Sequence, residues 1–72
     1  MSISYYDFKN LPDRSQQELV MAIGTVISET YKDALKFVLY QMPSFTVEIV
    51  YNINNNTIAS VSSFQNTGNY EN

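Results

Sequence analysis

The run KFVLYQMPSFTVEIVYN, residues 36–52, constrains the fold of this chain more than any other stretch. It alternates with a period of two on either side of Pro43-Ser44, a turn-forming pair, and its β-branched and aromatic residues favour extended backbone. A third segment of the same kind follows Asn54-Asn55-Asn56. The expected strands are 35–42, 45–53 and 57–64, joined as an antiparallel meander. If Pro43-Ser44 is the centre of an even loop, Met42 lies across from Phe45, Tyr40 from Val47 and Val38 from Ile49, all on one face. An even second loop aligns Tyr51 with Ile58 and Phe45 with Phe64. That face collects Val38, Tyr40, Met42, Phe45, Val47, Ile49, Tyr51, Ile58 and Phe64 and is the expected core. The opposite face carries Leu35, Phe37, Leu39, Val50, Ala59 and Val61, with Gln41, Thr46, Glu48, Asn52 and Ser63 among them.

The cover for the core face must come from the preceding segment. Pro12 suits a helix start, Asp13 puts negative charge in the first turn, and Ser15 with Glu18 fits a capping box one turn later. Leu19, Ala22, Ile23, Val26, Ile27 and Thr30 recur at helical spacing, which predicts one amphipathic helix over 13–31. Gly24 interrupts it, as a point of close backbone approach or a tolerated weak spot. The opening SYYDFKNLP reads as extended or irregular, with at least one of Tyr5, Tyr6 and Phe8 packed on the domain. The expected architecture is α+β: one N-terminal helix on a three-stranded sheet, αβββ. Residues 1–64 form a single domain and 65–72 a flexible C-terminal tail.

Composition narrows the function classes. The 72 residues include neither Cys nor His. That removes disulfides, thiolate metal sites, thiol nucleophiles and the commonest general base, so the expectation is a non-enzymatic protein without cofactor or bound metal. A single domain of this size has a thin core, which oligomerisation can reinforce. Seven acidic and four basic residues give a net charge of −3. The basic residues Lys9, Arg14, Lys32 and Lys36 are scattered, which argues against a nucleic-acid backbone as partner. No basic leader with an apolar core opens the chain and no apolar run reaches membrane-span length, so the expected setting is cytoplasmic, without membrane. Asn55-Asn56-Thr57 matches a glycosylation sequon only formally in that setting.

Candidate chemical sites are few. Glu48 lies in the expected central strand, near Gln41 and Thr46 on the same face; these three form a small polar patch or are simply solvated. Glu29 and Asp33, four apart, would share a helical face as a carboxylate pair. Tyr40 and Tyr51, with Phe45 and Phe64, suit core packing with hydroxyls at the rim better than base stacking, which needs a basic field. The stronger signal is the second sheet face: one helix cannot cover both. Leu35, Phe37, Leu39, Gln41, Glu48, Val50 and Val61 are the candidate interface, with a homodimer as the leading expectation. The alternative is a small acidic inhibitor or antitoxin-like protein that occupies the basic cleft of an unidentified protein target.

Leu39, Tyr40, Gln41, Phe45, Val47, Glu48, Tyr51, Asn56, Ile58, Ser63 and Phe64 together resemble a group of short uncharacterised bacterial proteins with the pattern LYQ…F-x-VE-x-x-Y…N-x-I…SF. The resemblance spans most of the chain and implies that the helix-plus-sheet unit recurs; it carries no activity. Ser60 and Ser62 depart from the group's more basic third strand.

Overall fold

The computed structural model describes residues 3–65. Two helices, α1 (Tyr5–Lys9) and α2 (Asp13–Ile23), precede four strands: β1 (Thr25–Lys32), β2 (Leu35–Gln41), β3 (Phe45–Asn52) and β4 (Thr57–Gln65). The strands form one antiparallel sheet in the order β1-β2-β3-β4. The α+β class stands, with a four-stranded sheet in place of three strands. Gln65 belongs to β4, and the rest of the segment read as a tail, residues 66–72, lies outside the described residues.

The extra strand comes from the segment read as the second half of the helix. α2 ends where the Gly24 N–H donates to the Val20 carbonyl at 2.8 Å, and Gly24 itself is already extended, at φ −78° and ψ 151°. Thr25, Val26, Ile27, Thr30 and Tyr31 follow, a β-branched and aromatic run that a helix accommodates poorly and an extended strand accommodates well. The helical spacing of Val26, Ile27 and Thr30 was therefore a coincidence of composition. A Cβ on Gly24 would sit 2.7 Å from the Val20 carbonyl oxygen and 3.3 Å from the Met42 sulfur, so the residue marks a close approach between the end of α2 and the sheet.

The opening segment is helical rather than extended. Ser4 caps α1 by accepting the Asp7 N–H at 3.1 Å, and Asp7 places its charge in the first turn. This is the Ser-x-x-acid cap pattern, written in Ser4-Tyr5-Tyr6-Asp7. Pro12 is the N-cap of α2, and Glu18 pairs with Arg14 one turn back at 3.5 Å on the surface. The Gln16 side-chain amide ties the helices together, donating to the Phe8 carbonyl at 2.9 Å and the Lys9 carbonyl at 3.4 Å.

Strand register follows from the turns. The Met42 N–H donates to the Phe45 carbonyl at 2.8 Å, so Pro43-Ser44 is the two-residue loop of an even hairpin, and Tyr40 faces Val47 and Val38 faces Ile49 as the alternation required. Asp33 and Asn56 take positive φ (56° and 61°) in the other two turns. Asn and Asp tolerate that region better than most residues.

The core lies between the helices and the sheet face of Val38, Tyr40, Met42, Phe45, Val47 and Ile49, into which α1 inserts Phe8 and α2 inserts Val20. Phe8 and Phe45 are in contact at 5.0 Å between ring centroids, and Tyr5 meets Phe45 edge-on at 6.1 Å. The amino-terminal aromatics therefore close the inner face, and the smallest extent of the molecule, 16 Å, is that of two layers, one helical and one sheet.

Candidate association face

Opposed residues in an antiparallel ladder point to the same side, so the register fixes which side chains share the outer face of the sheet. β2 contributes Leu35, Phe37, Leu39 and Gln41, and β3 contributes Thr46, Glu48, Val50 and Asn52 directly across from them. The apolar members form a central group. Val50, between Phe37 and Ser60 in the ladder, is only 7% exposed although both helices pack on the opposite side of the sheet. The flanking strands are mostly polar on this side: Thr25, Ser28, Thr30 and Lys32 from β1, and Thr57, Ser60 and Ser62 from β4, with Phe64 near the end of β4 the apolar exception. An apolar centre within a polar margin is the usual anatomy of a protein interface.

Six of the seven expected interface residues are on this face, and Val61 is not. It faces Ile49 and packs against the core, because β4 carries a bulge: Val50 pairs with Ser60 and Tyr51 with Ile58, leaving Ala59 unpaired. One extra residue exchanges inside and outside for the rest of the strand. Phe64 accordingly faces Thr46 instead of Phe45, leaves the core and stands 51% exposed on the outer face, while Ser63 turns inward opposite Val47. The sequence does hold a signal for this. Ile58 and Val61 are three apart, and both reach one face of a strand only if a residue is inserted between them.

The polar patch expected around Glu48 is not assembled as drawn. The Gln41 amide donates to the Met42 carbonyl at 2.8 Å and the Phe45 carbonyl at 3.1 Å, so both its hydrogens clamp the β2–β3 hairpin. Glu48 faces Leu39 and Ser62. Glu29 lies on β1 and Asp33 in the turn after it, so the shared helical face that would have paired them does not form. Among the described residues there is no group of three or more His, Cys, Asp or Glu placed to hold a metal ion.

The tyrosines sit at the border of the core. Tyr40 and Tyr51 join hydroxyl to hydroxyl at 2.7 Å, and the Lys36 ammonium lies 5.3 Å from the centre of the Tyr51 ring. Burial raises the Tyr40 phenol far above its ordinary value, helped by the hydrogen bond to Tyr51 and by the negative charge of Glu29, so it stays neutral. A neutral, hydrogen-bonded hydroxyl at the core margin is a structural group.

These features define a two-layer α+β domain with one sheet face covered by the helices and the other not covered by either helix. No family model, curated protein or solved structure matches the chain. Among the described residues, no helix is long and apolar enough to cross a membrane.

Proposed function

We propose that the chain is a non-enzymatic interaction module that self-associates through the outer face of its sheet. The observation that carries this reading is the central group of Leu35, Phe37, Leu39 and Val50 on a face that neither helix covers. Among the described residues, Lys32 at the margin and Glu48 nearer the centre are the face's charged groups. One charge of each sign makes the surface self-complementary under a two-fold axis, the commonest closed symmetry. Four strands of this length present a face of about 19 by 25 Å, so two faces in contact remove on the order of 1,000 Å², the size at which specific interfaces begin.

Light scattering coupled to size exclusion tests this. The expected mass at high micromolar concentration is that of a dimer. Leu39→Lys places a charge at the centre of the proposed contact, directly across from Glu48, which can pair with it in a free monomer. The expected variant is a folded monomer. A monomeric mass for the unaltered chain, or a Leu39→Lys variant that remains dimeric, overturns the reading.

A further inference from the structure

The helix layer holds a feature that the sheet-face reading does not use. The Gln16 side chain bridges α1 and α2, and a cavity of about 510 Å³ is lined by residues of both helices. This is within the usual range for small-molecule sites, roughly 300–1,000 Å³. Ile3, Leu11, Leu19, Ala22 and Ile23 supply its apolar lining, and its charged groups are the carboxylates of Asp7 and Glu18.

The chemistry of that rim is one-sided. No lysine or arginine lines the cavity. Lys9 stands over the Tyr5 ring at 5.3 Å, and Arg14 meets Glu18 at 3.5 Å with both side chains largely in water. The Ser4 hydroxyl, also at the cavity, already accepts the Asp7 N–H. The polar groups left at the cavity are the Ser15 hydroxyl and two carboxylates, that of Asp7 and that of Glu18, whose ion pair with Arg14 is exposed to water, in a chain of net charge −3. An apolar body gains by entering, a cationic head gains at the rim, and an anionic head is repelled.

We infer that the cavity between α1 and α2 is a binding site for a small hydrophobic cation, an amine or quaternary ammonium on an apolar body, with Asp7 and Glu18 as its counter-charges. The site is independent of the outer sheet face, since the helices occupy the other side of the sheet.

The test is a titration of isotope-labelled full-length chain with octyltrimethylammonium, octyl sulfate and 1-octanol, each below its aggregation threshold, followed by amide chemical shifts. The cation is expected to saturate shifts at Leu11, Leu19, Ala22 and Ile23 and to bind at least fivefold more tightly than octanol, with octyl sulfate weaker still. Asp7→Asn with Glu18→Gln should erase that preference and leave octanol binding unchanged. Ala22→Phe, at an exposed helix position, should fill the cavity and abolish binding of both while the sheet resonances stay in place. Equal affinity for the cation and the sulfate, or shifts confined to the outer sheet face, overturns the proposal. A doubling of mass on saturation overturns it too, by making the groove a contact between copies. None of these outcomes depends on whether the unliganded chain is dimeric.

Discussion

β1 and β3 are eight-residue strands of similar composition, and the molecule treats them in opposite ways. Every residue of β1 is exposed, including Val26, Ile27 and Tyr31, whereas β3 buries Phe45, Val47, Ile49 and Val50. The difference is position. β3 is flanked on both sides by strands, lies under Phe8 and Val20, and shares its outer face with Phe37; β1 pairs only with β2 and no helix residue of the core reaches it. Strand propensity decided that both segments would be extended. Burial was decided by where the two short helices pack, and the core they close includes no residue of β1.

The sharpest way to break this comparison is the same substitution in both strands. Val47→Lys would place an unpaired ammonium in the core and is expected to cost more than about 4 kcal/mol, enough to unfold a domain whose total stability is on the order of 5 kcal/mol. Val26→Lys, on the same side of the sheet but 48% exposed, should change stability by no more than about 0.5 kcal/mol. Urea denaturation of both variants checks the pair. A large loss at Val26 would mean that β1 is covered in solution by something beyond the described chain.

The second test lies where the chain passes from the covered layer to the bare strand. Gly24→Ala keeps an ordinary backbone conformation, so no relief of strain is at stake; the new methyl must displace the Val20 carbonyl, 2.7 Å away, or bend the end of α2 away from Met42. The expected loss is about 1–3 kcal/mol, the range for overpacking, read as a lower thermal midpoint. An unchanged or raised midpoint would show that α2 and β1 join less tightly than drawn.

What the sequence allowed to be read divides along the same line. The register of the β2–β3 hairpin was legible once Pro43-Ser44 was taken as an even loop; an odd loop would have mixed the two alternating sets. The inner face from Val38 to Ile49 followed from it, and so did most of the outer face. β1 was not legible as a strand: an exposed edge has no alternation to display, and Val26, Ile27 and Thr30 happen to fall at helical spacing after a real helix. α1 was missed although Ser4 and Asp7 spell its cap, because five residues are too few to show a period. The bulge at Ala59 misplaced Val61 and Phe64 together, since period-two reasoning assumes an unbroken ladder. The cavity between the helices could not be foreseen from a single long helix.

The last test sits on the boundary between the two regions. Tyr40 lies across from Val26 of β1 on one side and Val47 of β3 on the other, and its hydroxyl bonds that of Tyr51. Tyr40→Phe should cost about 1 kcal/mol at neutral pH, the usual net worth of one hydrogen bond. Its pH dependence is more telling. Folding raises this phenol above its ordinary 10.0, so the folded state holds the proton more tightly than the unfolded state does. The contribution is therefore fully present below pH 10.0 and is lost as pH rises beyond it, when the unfolded chain ionises and the folded one resists. Urea midpoints measured from neutral pH into the alkaline range should be flat and then fall for the unaltered chain, with a shallower fall for Tyr40→Phe. Tyrosinate absorbance should show one phenol fewer ionising late in the variant. Parallel curves would mean that water reaches the Tyr40 hydroxyl as freely as it reaches β1, moving the edge of the covered region inward from β2 to β3.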